Sequence, residues 1–102
     1  MQAGTRPGRH GDARRSRLPD DLSELRRLAA DATDPEDAVA INAAILRQAP
    51  DETVAMNRLG RAYGALGLLE QAEQTFRRAL AVDPSNAIAN RRLQDVARRR
   101  RR

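Results

Sequence analysis

The sequence predicts an all-α fold of about five short helices, arranged as antiparallel helix–turn–helix units. Three observations indicate this fold. Alanine and leucine, which are good helix formers, are common, and β-branched runs are missing. Apolar residues recur at helical spacing in five segments. Asp, Pro and Gly residues stand between these segments, where helices begin and end.

Start signals predict the first two helices. Asp20 or Asp21 is expected to cap a helix that runs to about Ala32. The second signal is sharper, because Asp34 followed by Pro35 fits an N-cap with proline at the first helical position. The turns between helices are short, so neighbouring helices are expected to be antiparallel.

The other three helices follow from similar signals. The acidic pair 51–52 opens the third helix, and Gly67 ends it. The fourth helix is predicted from about Leu69 to Val82, where Asp83-Pro84 stops it. Ser85 or Asn86 is expected to cap the fifth.

The chain also repeats itself with a period of 34 residues. Residues of the same type stand 34 positions apart in four pairs: Leu25 and Leu59, Ala38 and Ala72, Leu46 and Leu80, Pro50 and Pro84. Residues 53–86 carry the densest pattern, and we expect its small, apolar and aromatic positions to form the packed centre of the fold: Met56, Leu59, Gly60, Tyr63, Ala72, Phe76 and Ala79. Pro84 closes the pattern and is expected to end a helix and set the following turn.

This pattern and its period resemble the tetratricopeptide repeat (TPR), a helix–turn–helix unit that stacks into an α-solenoid. The resemblance implies a TPR-like domain over residues 19–97. In it, residues 53–86 form a full repeat, 19–52 a degenerate repeat and 87–97 a capping helix. In the degenerate repeat, four residues replace the Gly, Tyr, aromatic and small Ala of the family pattern: Arg26, Ala29, Asn42 and Ile45.

The resemblance also implies a function and a surface. TPR modules bind protein partners, often as extended peptides, along the first helix of each repeat. The inward positions carried over to this chain are Ser23, Glu24, Arg27, Val54, Asn57, Arg58, Arg61, Ile88, Arg91, Arg92 and Asp95. We expect Asn57, Arg58, Arg61, Arg91 and Arg92 to bind an acidic peptide, because guanidinium groups pair with carboxylates. The competing interpretation is that these arginines are solvated or pair with Glu24 and Asp95.

The charge distribution supports a second hypothesis. Residues 1–18 carry five Arg and one Asp, and residues 87–102 carry seven Arg and one Asp. A disordered basic leader over 1–18 and an arginine tail over 98–102 are therefore predicted. The alternative hypothesis is that the protein associates with nucleic acid through these arginine-rich termini, while the repeats dock on a larger assembly. Weak, non-specific nucleic-acid binding by the tail is a milder expectation.

Several classes of function are disfavoured. The chain has no cysteine and a single histidine, His10, and it shows no nucleophile–base pair and no phosphate-binding loop. We therefore expect no enzyme activity, no catalytic residue, no metal and no cofactor. The absence of a long apolar run predicts a cytoplasmic protein without membrane contact. Two repeats bury a thin core, so self-association into a homo-oligomer is a further expectation.

Overall fold

The computed structural model describes residues 18–101, and in this part of the chain it contains five α-helices and no strand. The helices are α1 (Leu22–Asp31), α2 (Pro35–Gln48), α3 (Thr53–Ala65), α4 (Leu69–Val82) and α5 (Ala87–Arg100). This confirms the predicted all-α fold of about five helices. The predicted leader lies outside the described residues, apart from Leu18.

The helix starts show how local sequence fixes the boundaries. The side chain of Asp21 accepts a hydrogen bond from the Glu24 amide at 3.3 Å, and that of Asp34 accepts one from the Glu36 amide at 3.3 Å. Each satisfies a backbone N–H that the helix itself leaves without a partner. At α5 the cap is Asn86, whose Oδ1 accepts from the Ala89 amide at 3.0 Å.

Two other boundaries are set in the turns before α4 and after it. Gly67 lies between α3 and α4 with a φ of 77°, a left-handed conformation that costs glycine little. Ser85 does not cap α5, because its amide and hydroxyl both bind Asp83 Oδ1, at 3.1 and 2.7 Å. The turn that follows α4 is thus closed by Asp83 and leaves Asn86 as the cap.

Each helix packs on the one before it in the chain, so α1–α2 and α3–α4 form two antiparallel pairs and α5 covers the last. The core runs through all five helices as one cluster of buried side chains: Leu25, Ala29, Ile41, Ala44, Ile45, Leu46, Ala55, Met56, Leu59, Ala72, Phe76, Ala79, Ala89 and Val96. Apart from Phe76 these are aliphatic, as the low aromatic content of the chain requires.

The closest packing lies inside the α3–α4 pair. The ring of Phe76 is 1% exposed and lies against Gly60. A Cβ placed on Gly60 would stand 2.7 Å from two ring carbons of Phe76 and 2.9 Å from a third. The two helices can therefore approach closely only because residue 60 has no side chain.

The α1–α2 pair is held differently. Arg26, at the repeat position of Gly60, is exposed and donates through Nε and Nη2 to the Glu52 carboxylate, with an Nη2–Oε1 distance of 2.6 Å. Glu52 is the N-cap residue of α3, but its side chain makes no capping hydrogen bond. The ion pair thus joins α1 to the start of α3 across the repeat boundary.

Substitution of Gly60 tests the close packing of α3 and α4. We expect Gly60→Ala to lower the free energy of unfolding by about 1–3 kcal/mol, because the added methyl group collides with a buried ring. Urea denaturation followed by circular dichroism measures the change.

Gly64, also in α3, is the matched control. A Cβ there would meet its nearest side-chain atom, Arg99 Nη1, at an ordinary 3.7 Å. Gly64→Ala should leave stability unchanged or raise it by up to about 1 kcal/mol, because alanine favours helix. Equal destabilisation by both substitutions would contradict the packing argument.

Candidate functional site

The repeat places α3 and α5 side by side with an open groove of about 560 Å³ between them. Eight residues line the groove: Val54, Asn57, Arg58, Arg61, Ile88, Arg91, Arg92 and Asp95. They are the inward positions expected on these two helices from the repeat pattern. The corresponding positions of α1, which are Ser23, Glu24 and Arg27, do not line it.

The lining residues form rows because α3 and α5 are one repeat apart. Val54 and Ile88 are equivalent positions, and each is 52% exposed. The next turn carries Arg58 and its equivalent Arg92. The groove therefore offers an apolar row beside a row of guanidinium groups.

The groove arginines have no partners within residues 18–101. None of the four side chains in question makes a hydrogen bond or an ion pair there: Arg58, Arg61, Arg91 and Arg92. The two acids proposed as their partners are engaged elsewhere. Glu24 binds Arg27 at 2.6 Å, and Asp95 binds Arg98 within α5.

Asn57 has a structural contact that sequence patterns did not reveal. Its amide nitrogen donates to Asn86 Oδ1 at 3.3 Å, and the amide nitrogen of Asn86 donates to Asn57 Oδ1 at 3.1 Å. Asn86 is also the cap of α5. The pair therefore fixes the start of α5 against α3 and sets one end of the groove.

The opposite end of α5 is fixed by its arginines. Helix α5 continues to Arg100, so three residues of the predicted arginine tail are helical. Arg99 donates to the Gly64 carbonyl at 3.3 Å, and Arg100 donates to the Glu73 carboxylate. These contacts attach the end of α5 to both α3 and α4.

Glu73 is the carboxylate that accepts hydrogen bonds from the end of α5 and from its own helix. Its other carboxylate oxygen accepts a hydrogen bond from Arg77 at 2.5 Å, and its side chain is only 12% exposed. The hydrogen bond from Arg100 holds the pKa of Glu73 below its ordinary value, and the charges of Arg77 and Arg100 add to this effect. Desolvation raises the pKa of Glu73 and is second in size only to the hydrogen bond from Arg100, so the net direction is downward.

The repeat-signature residues lie beneath the groove rather than in it. Met56, Leu59, Gly60, Ala72, Phe76 and Ala79 are buried, Tyr63 is half-buried and Pro84 is exposed in the turn after α4. Within residues 18–101, no group of three acidic or histidine side chains could hold a metal ion, and no helix is long and apolar enough to cross a membrane.

Stacked antiparallel helix pairs with a covering last helix define the class of this protein, an α-helical repeat module. Residues 54–86 match the family model of the tetratricopeptide repeat. The match covers one repeat unit, and together with the five packed helices it supports a TPR-like repeat module. The TPR is generally a non-catalytic fold for protein–protein interaction, so the match supports an interaction module with a protein partner. No curated protein and no solved structure matches the chain significantly.

The lowered pKa of Glu73 makes stability depend on pH. Because the folded-state pKa is lowered, the contribution is present above the ordinary value of 4.5 and is lost as the pH falls through the folded-state pKa. Glu73→Gln should lower Tm at pH 7 and reduce the further loss of Tm between about pH 5 and pH 3.

Thermal unfolding at both pH values is the measurement. The matched control is Glu70→Gln, because Glu70 lies exposed on the same helix and has no ion pair within residues 18–101. An unchanged acid dependence in Glu73→Gln, or an equal change in Glu70→Gln, would show that the attachment of α5 does not depend on this carboxylate.

Proposed function

We propose that the chain is a non-catalytic, cytoplasmic adaptor that binds an acidic segment of another protein on its concave face, in the groove between α3 and α5. The observation that carries this proposal is the set of four groove arginines without partners in the described part of the chain. Asn57 also lines the groove, where its amide already binds Asn86.

Electrostatics favours an acidic ligand. Guanidinium groups of like charge facing one groove repel one another, and Asp95, the acid that lines it, is already bound to Arg98. A ligand carboxylate would relieve this repulsion and form charge-assisted hydrogen bonds. Such bonds contribute roughly 1.5–3 kcal/mol each when water is excluded and less at an open surface.

The apolar row adds a second requirement. Val54 and Ile88 expose half of their surface beside the arginines. Burying them under aliphatic side chains of a ligand would add about 25 cal/mol per Å² of apolar surface. The expected ligand thus combines carboxylates with aliphatic residues and is not a purely polyanionic chain.

The nucleic-acid hypothesis receives less support. Arg98, Arg99 and Arg100 bind Asp95, the Gly64 carbonyl and Glu73, respectively. Nucleic acid would have to compete with these contacts for the described part of the tail. Aromatic side chains for base stacking are also absent from this stretch.

Selection of random dodecapeptides displayed on phage, with the full chain as bait, tests the proposal. We expect selected peptides to be enriched in Asp and Glu. We also expect Arg58→Ala combined with Arg92→Ala to weaken their binding at least about tenfold, the effect of losing roughly 1.4 kcal/mol.

A control of equal charge loss is Arg47→Ala combined with Arg101→Ala. Both residues are exposed and neither lines the groove. This control should change affinity less than about twofold. The proposed binding site would be contradicted if the selected peptides showed no acidic enrichment. It would also be contradicted if the two double variants lost equal affinity. The nucleic-acid hypothesis would be supported instead if the chain bound a 20-nucleotide single strand, if this binding required residues 98–102, and if it fell steeply with salt.

A further inference from the structure

The groove adjoins a further cavity on each side. One of about 540 Å³ lies between α1, α2 and the C-terminal half of α3, and one of about 610 Å³ lies between α3, α4 and α5. Arg58 lines the groove and the first of these cavities, and Arg92 lines the groove and the second. Arg61 lines all three. The three cavities therefore adjoin one another, and Arg61 lies where they meet.

Arg58, Arg61 and Arg92 form what we call the arginine junction. Arg58 and Arg61 are three residues apart on α3, so they lie on one face of this helix, and Arg92 faces the same groove from α5. Arg61 and Arg92 are exposed and Arg58 is half-buried. Because none of the three binds an acceptor within residues 18–101, all three guanidinium groups can bind one ligand group there.

The surroundings of the arginine junction are also positive. Arg91, Arg98 and Arg99 line the same three cavities, and Asp95 is the one acid among the described residues that line them. Asp95 binds Arg98, so its charge is already balanced within α5. A ligand group at the junction therefore meets a concentrated positive field.

A phosphoryl group matches this arrangement better than a carboxylate does. A carboxylate carries one charge, and a single guanidinium can satisfy both of its oxygens. A phosphomonoester carries a charge of about −1.5 to −2 at pH 7 and has three acceptor oxygens, so it can bind several guanidinium groups at once. Side chains on one face of an extended peptide are about 7 Å apart, so a row of carboxylates would spread along the groove.

We propose that the arginine junction binds a phosphorylated side chain of the partner segment, so that phosphorylation of the partner controls its capture. This inference rests on the proposed function of the groove. The apolar row of Val54 and Ile88 favours a peptide over nucleic acid, which has no aliphatic side chains to cover it. Phe76, the aromatic residue among the described lining, is 1% exposed and offers too little ring for base stacking.

Four nonapeptide libraries with random flanks test the proposal against the immobilised full chain. The fixed central residue is phosphoserine, phosphotyrosine, Asp or Ser. At about 0.15 M salt, we expect at least one phosphorylated library to be retained about tenfold more strongly than the Asp library, because the phosphoryl group has more charge and more acceptor oxygens. The Ser library should be retained least.

Two variants of equal charge loss locate the site. Arg61→Gln removes the arginine shared by all three cavities, and we expect it to lower retention of the phosphorylated libraries to that of the Asp library. Arg91→Gln is the matched control, because Arg91 is also exposed but lines only the groove. It should weaken all acidic libraries alike and leave the advantage of the phosphoryl group unchanged. Circular dichroism verifies that both variants are folded.

The outcomes separate this inference from the proposed function. If the phosphorylated and Asp libraries are retained equally and above the Ser library, the phosphoryl site is wrong and the acidic groove stands. Equal loss of the phosphoryl advantage in the two variants would likewise overturn the junction. If the phosphorylated libraries bind while the Asp and Ser libraries are equal, the phosphoryl site stands and the carboxylate ligand is wrong. If no library is retained, both proposals fall.

A 20-nucleotide single strand is measured beside the libraries, since its phosphates could bind the same arginines. We expect it not to displace the phosphorylated peptides at equal phosphate concentration. The proposal is overturned in favour of nucleic acid if Arg61→Gln weakens binding of the strand while the phosphorylated libraries show no advantage over the Asp library.

Discussion

The contact between Phe76 and Gly60 is the constraint on which the arrangement of this molecule depends. A buried aromatic ring occupies the space that any side chain at residue 60 would need. This lets α4 lie close to α3, and α5 then packs on both. The groove between α3 and α5 is therefore a consequence of core packing rather than of the arginines that line it. Those arginines can vary in sequence without changing the scaffold.

The first repeat shows what happens when this contact is missing. Arg26 stands at the position of Gly60, and Asn42 stands at that of Phe76. The Arg26–Glu52 ion pair offsets only part of the lost ring contact, because it is partly exposed and contributes less than a buried ring. A cavity of about 540 Å³ lies beside Asn42, and one of about 610 Å³ lies at the equivalent place in the second repeat, beside Phe76. The missing ring therefore changes how the helix pair is held without changing where the cavities lie.

Sequence patterns could predict the helices because their determinants are local. The caps at Asp21 and Asp34, the left-handed Gly67 and the limits of α4 each depend on a few neighbouring residues. The contacts that orient α5 are different. The Asn57–Asn86 pair and the Arg100–Glu73 pair join residues 29 and 27 positions apart, through side chains with many rotamers. Periodicity identifies the face of the helix on which such a residue lies, but it does not identify the residue that its side chain contacts.

The same distinction explains the two groups of arginines. On sequence alone the seven arginines of residues 87–102 form one basic segment. In the fold, Arg99 donates to a backbone carbonyl of α3 and Arg100 to a carboxylate of α4. Arg91 and Arg92 line the groove and bind no acceptor within residues 18–101. A charge already paired within the protein must lose that partner before it binds another molecule. Binding of another molecule to the groove arginines would therefore displace no partner within residues 18–101, although the tail is the more basic stretch.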